Sequence, residues 1–160
     1  MARRSPGRVR NAFLASLAAF AVIQLVPYGR DHTKPPVTKA AACPPGAGLE
    51  LARGACFDCH SNETEWPWYT NVAPGSWLVQ NDVDEGRATL NFSEWNRPQA
   101  EVDELFEVIE EGDMPPVSYR LIHSPARLSE RDHMTLLAAM RQMLRASPPI
   151  QGEGEPEGEG

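Results

Sequence analysis

Cysteine is scarce in this 160-residue chain: there are three, and no second Cys or His pair stands beside the one close pair. A zinc site built from soft ligands would want that second pair. Lysine is scarcer still. Between Pro44 and Ala146 lie eight arginines and no lysine, against seventeen aspartates and glutamates. So acidic a stretch has no cationic surface with which to displace counterions, which argues against nucleic acid as a partner. No alternation of strands and helices is visible, so a thioredoxin-like dithiol lacks its βαβ setting. No serine stands in a nucleophile-elbow pattern, which leaves a hydrolytic triad without support. Long apolar runs are also missing, with one exception near the start.

Against that background one short stretch stands out, Cys56-Phe57-Asp58-Cys59-His60, or C-x-x-C-H. Two thiols three residues apart, followed at once by an imidazole, suit covalent attachment of a single c-type haem. On one helical turn both sulfurs share a face and can reach the vinyl groups of one porphyrin. His60 then lies where its ring nitrogen can bind the iron as proximal ligand.

The exception among apolar runs is Ala12 to Val26, broken only by Ser16 and Gln24, and preceded by Arg3, Arg4, Arg8 and Arg10. It reads as a secretory h-region or a short membrane-anchoring helix, near the lower limit of the ~20 residues that cross a bilayer. Pro27-Tyr28-Gly29-Arg30-Asp31 follows, where signal peptidase would want small residues. The reading is therefore an uncleaved anchor over 1–28 in the bacterial inner membrane, its arginines in the cytoplasm and its domain in the periplasm. Secretion after signal cleavage is the alternative. Residues 29–48, rich in Pro, Thr and Ala, read as a tether. Residues 49–146 read as the haem-binding domain, and 147–160 as a disordered acidic Gly/Glu tail.

Within the domain the pattern is all-α. One helix is expected over Leu49–Cys59 and another from about Gly75 to Leu90. Val102, Leu105, Phe106 and Ile109 follow helical spacing between Pro98 and Gly112, with Glu101, Glu104, Glu107 and Glu111 on other faces. Ser129 and Asp132 offer a capping box for a last helix bearing Leu136, Leu137, Met140, Met143 and Leu144. Helices alone would make a small core, and a flat apolar cofactor at its centre would enlarge it. Trp66, Trp68, Trp77 and Trp95 suit packing on a porphyrin, as they suit an ordinary core.

A Met sulfur opposite His60 would fill the sixth position and raise the reduction potential, as in an electron carrier. Met114 lies in Gly112-Asp113-Met114-Pro115-Pro116, where prolines can project a thioether. Met134, Met140 and Met143 sit at core-like spacing. His123 is the rival ligand, since a bis-histidine haem is chemically sound.

The chain resembles the small haem-binding-domain family of bacterial cytochrome c-like proteins. The resemblance runs over Cys56–Thr64, Trp66-Pro67-Trp68-Tyr69, Asn71–Pro74, Ser76–Val79, Glu85-Gly86-Arg87, Leu90–Trp95 and Glu111–Pro116, and on to Tyr119, His123 and Ala126–Ser129. It implies a small cytochrome c-like helical domain with one covalent haem c on Cys56 and Cys59, His60 on the iron, and an N-terminal membrane anchor. Met114 and His123 both look family-typical, so their rivalry stays open. The expected function is single-electron transfer to redox protein partners in the periplasm or membrane, without enzymatic chemistry. The alternative is a haem sensor or peroxidase-like protein with an open or displaceable sixth ligand, in which Arg120 or Arg127 would assist His123.

Overall fold

A computed structural model describes residues 6–100, 102 and 104–151. Arg3, Arg4, Glu101 and the tail from Gly152 lie outside them. The described chain is mostly helical, as the apolar periodicity predicts. In order come α1 (Pro6–Ile23), α2 (Ala47–Ala55), α3 (Phe57–His60), a 3-10 turn (Trp68–Asn71) and α4 (Gly75–Thr89). Then follow β1 (Pro98–Gln99), α5 (Leu105–Glu110), α6 (Val117–Ile122), a second 3-10 turn (Ser124–Ala126), α7 (Glu130–Ala146) and β2 (Ile150–Gln151). The strands pair in parallel, Pro98 with Ile150 and Gln99 with Gln151. The chain forms two compact units, residues 1–32 with 66–81 and residues 33–65 with 82–160.

In the first unit, Gln24 ends the apolar run by clamping a distant loop. Its side-chain amide donates to the Ala73 carbonyl (2.9 Å), and its side-chain oxygen accepts from the Ala73 amide (3.0 Å) and from Arg30 (3.1 Å). His32 stacks on Trp66, 4.8 Å between centroids, and its Nε2 meets the Thr70 carbonyl at 3.2 Å. The single-pass anchor expected over residues 1–28, and the inner-membrane location built on it, are not borne out. No helix among the described residues is long and apolar enough to cross a membrane. At a rise of 1.5 Å per residue the 18 residues of α1 reach only about 27 Å, and Arg8, Arg10 and Asn11 occupy its first turns. Hydrocarbon is about 30 Å thick, so the apolar part falls well short.

The second unit owns the core. α2 packs on α7, and Ala52 meets Leu136, Leu137, Met140 and Met143 in one cluster with Leu90, Phe92, Trp95, Val102, Leu105 and Ile109. Trp95 also donates from its indole to the Ser147 carbonyl (2.9 Å), satisfying an acceptor at the end of α7. The capping box forms as read: Ser129 Oγ accepts from the Asp132 amide, and the Asp132 carboxylate accepts from the Ser129 amide.

Three local expectations change. The helix read over Leu49–Cys59 breaks at Cys56, whose φ of −125° leaves the helical region, so α2 and α3 are separate. The helix expected from Pro98 shortens to Leu105–Glu110, because Pro98 and Gln99 pair with Ile150 and Gln151 instead. The stretch read as a tether is held along part of its length. Thr38 and Lys39 amides donate to the Ser93 carbonyl (3.1 and 3.2 Å), Ala41 to Phe92 (2.8 Å), and the Trp95 amide to Lys39 (2.9 Å).

Candidate functional site

The break at Cys56 sets off the turn that carries Cys59 and His60. The Cys56 carbonyl accepts from the Cys59 amide (3.2 Å) and the His60 amide (2.9 Å), winding the motif into the single turn of α3. The His60 carbonyl in turn accepts from the Phe92 amide (2.8 Å).

The residues after the motif hold this turn from behind with buried polar groups. Arg87 donates to the Ser61 carbonyl (2.8 Å) and to Thr64 Oγ1 (2.9 Å). The side-chain amide of Asn62 donates to the Pro36 carbonyl and to Glu94, and its oxygen accepts from Asn91 (3.0 Å). Gln99 Oε1 accepts from the Asn91 amide (2.7 Å). Fully satisfied networks of this kind rigidify what they surround. The stretches His60–Thr64 and Leu90–Trp95, which carry much of the sequence resemblance, thus brace the turn.

Cys56, Cys59 and His60 line a cavity of about 410 Å³, and Met114 lines the same cavity. α5 contributes Leu105, Val108 and Ile109, and Phe92, Pro115 and Tyr119 add further apolar surface. His60 is oriented through Nδ1, which lies 3.0 Å from the Gly86 carbonyl and 3.1 Å from the Leu90 carbonyl. Both are acceptors, so Nδ1 carries a proton; this is the nitrogen a metal-ligating His uses to hold its orientation while Nε2 faces the metal. Gly86 is required for this approach, since a Cβ there would lie 2.6 Å from the Cys59 carbonyl oxygen.

Burial pushes the Cys56 thiol up to about 12, with Cys59 and Cys43 adding to the effect. Cys59 is also pushed up to about 12, by burial first and then by Asp82 and Asp58, against a smaller opposing pull from Arg87. Such thiols stay protonated at neutral pH. They make poor redox nucleophiles, which need thiolate. Among the described residues no group of three or more His, Cys, Asp or Glu could hold a metal ion. A porphyrin iron asks the protein for two axial donors only. The cavity, with two neutral thiols, an oriented imidazole and a mostly apolar lining, fits haem.

Met114 is reached by a tight turn at Gly112, whose φ is +79°. The Met114 amide donates to the Val108 carbonyl (3.0 Å), the Met114–Pro115 bond is cis, and the side chain is 40% exposed. His123, the rival, lines a second cavity of about 380 Å³ with Glu50, Arg53 and Asp58, and is not among the residues around the first. Its ring stacks on Tyr119, centroids 3.9 Å apart. Arg127 donates to the carbonyls of Arg120 and Leu121 (2.8 and 2.7 Å), closing the chain around the second 3-10 turn.

Sequence reasoning missed several lining residues. Phe92 and Tyr119 belong to the cavity, whereas Trp95 is a core residue at 1% exposure, and Trp66, Trp68 and Trp77 fall in the first unit. Three acids, Asp82, Glu85 and Glu104, also line the cavity, and none of its described lining residues is Lys or Arg. Burial, and then Glu85, raise the Asp82 carboxyl above its usual range.

No curated protein and no solved structure matches the chain. A family model does match, over residues 18–142, a span that includes the Cys56–His60 turn, the bracing network and the Met114 loop. The chain belongs to the haem-binding domain family.

Proposed function

We propose that this haem-binding protein is a mono-haem c-type electron carrier. Cys56 and Cys59 hold the porphyrin through thioethers, His60 Nε2 is the proximal ligand and Met114 the distal one. The observation that carries the reading is that these four side chains line one cavity, with His60 already oriented through Nδ1. The bound group supplies a one-electron couple. The residues supply its fixed attachment, an oriented imidazole, and an apolar enclosure from α5, Phe92 and Pro115 that limits water around it. Electrons pass singly to and from protein partners. The net charge of −7 favours partners that offer a basic patch.

A second reading draws on the helix after Met114, none of whose residues is buried. A ligand carried by so lightly packed a segment can be displaced by a small molecule, and the protein would then act as a haem sensor. The peroxidase variant has less behind it, because His123 lines the other cavity.

Mass spectrometry and haem staining of denatured protein test attachment: one haem mass is expected on the wild type and none on Cys56→Ala/Cys59→Ala. Haem that extracts into acidic organic solvent from the wild type would refute it. Near-infrared absorption of the oxidised protein tests the ligand, through a sulfur-to-iron charge-transfer band that Met114→Ala abolishes. Rapid CO binding by the reduced wild type would favour the sensor.

A further inference from the structure

The helix that follows Met114 has almost nothing apolar to hold it. α6 spans only Val117–Ile122, none of its residues is buried, and Val117, Leu121 and Ile122 are each more than 60% exposed. Two polar ties help to set its position. One is local, from Arg127 to the carbonyls of Arg120 and Leu121. The other reaches across 61 residues of sequence: Tyr119 donates its hydroxyl proton to Asp58 Oδ2 at 2.6 Å. That length is in the range of charge-assisted O–H···O⁻ bonds, the stronger class.

Asp58 is one of the two residues between the cysteines, so this bond lands on the attachment turn itself. Asp58 is held at two further points. Its other oxygen accepts from the Glu65 amide (2.9 Å), and its backbone carbonyl accepts from Thr64 Oγ1 (2.7 Å). From Tyr119 the connection to Met114 is short and stiff. The Arg120 amide closes the first turn of α6 on the Pro116 carbonyl (3.0 Å), Pro116 precedes the helix as its N-cap, and Pro115 is buried. On the other side the Met114 amide is tied to the Val108 carbonyl.

We infer that the Tyr119–Asp58 hydrogen bond is a strut between the attachment turn and the distal loop, and that Tyr119 is a positioning residue for Met114. The inference rests on the ligation proposed above. With the strut in place, the spacing between His60 and the Met114 sulfur is set by the same residue that separates the cysteines. Without it, α6 can shift and the thioether leaves its place more often.

The test compares four full-length holoproteins: wild type, Tyr119→Phe, Asp58→Asn and His123→Ala. Tyr119→Phe removes only the hydroxyl and keeps the ring against the cavity. Asp58→Asn keeps an acceptor and removes the charge. His123→Ala removes the stacked ring and leaves the strut. Each is read by haem stain after denaturation, far-UV circular dichroism, the sulfur–iron band, and the rate of CO binding to the reduced protein. Tyr119→Phe is expected to keep its covalent haem and helicity while CO binds about ten-fold faster or more, the scale of one charge-assisted hydrogen bond. Asp58→Asn should fall between it and the wild type, and His123→Ala should match the wild type. Should Tyr119→Phe fail to fold, Asp58→Asn decides alone. A wild-type CO rate in Tyr119→Phe with the band intact overturns the strut and leaves Met114 as ligand. Equal acceleration in His123→Ala also overturns it, since ring packing would then be the cause. A wild type without the band refutes the ligation first, and the strut with it.

Discussion

At Gly86 there is no room for a methyl group, and the same residue lends His60 one of its two carbonyl partners. Gly86→Ala is therefore expected to destabilise the protein by about 1–3 kcal/mol, the usual cost of overpacking, measured by urea unfolding. It should also disturb the His60 ring, seen as a changed haem spectrum. The thiols give a second prediction at this scale. In haem-free protein both cysteines have folded pKa values raised from the ordinary 9.0 to about 12. A raised thiol pKa means that the folded state binds more protons than the unfolded one over that interval. Its contribution to stability is full below pH 9.0 and is lost as pH climbs toward 12. Unfolding midpoints of the haem-free chain should fall through this window, and Cys56→Ala/Cys59→Ala should flatten the fall. The motif residues were legible because C-x-x-C-H is a spacing with few uses. Phe92 and Tyr119 were not, because an aromatic side chain carries no mark in sequence of which surface it will face.

Among the elements, α7 was the most readable. Its apolar spacing, its Ser129–Asp132 box and the prolines beyond it all agree, and the box is present. Ser129→Ala should cost about 1 kcal/mol, checked by thermal unfolding. The cost should shrink as pH falls through the depressed pKa of Asp132, which its hydrogen bonds to Ser129 hold below the usual carboxylate range. The break at Cys56 was not readable. Ala52, Ala55, Cys56 and Cys59 keep helical spacing across it, and only the backbone shows that the chain turns there. α6 was missed for a plainer reason: a helix that buries nothing writes no periodicity. β1 escaped because its pairing with residues near the other end of the chain is a long-range choice that local spacing does not record.

For the molecule as a whole, the sequence suggested that haem would fill the centre of the core. Part of the core cluster does face the cavity, through Leu90, Phe92, Leu105 and Ile109, while Ala52, Trp95, Leu136, Leu137, Met140 and Met143 are buried without lining it. The haem-free double variant Cys56→Ala/Cys59→Ala should accordingly keep most of its helical circular dichroism, and collapse of that signal would contradict it. Charge acts at the same scale. With a net charge of −7, the holoprotein should be oxidised faster by a cationic cobalt(III) complex than by hexacyanoferrate(III) at low salt. The difference should fade as ionic strength shortens the Debye length to about 10 Å at 0.1 M. Stopped-flow rates over a salt series measure it.

The two carbonyls that steer His60 belong to the end of α4 and the residue just after it. They are acceptors at the negative pole of a 15-residue helix. Donating its Nδ1–H hydrogen bond to that pole makes the imidazole a more basic ligand at Nε2, and a more basic ligand favours the oxidised state of whatever metal it binds. The thioether proposed on the other side pulls the opposite way. On the proposed ligation the potential would be a balance between a helix end and a methionine sulfur, open to tuning from α4 without touching a ligand.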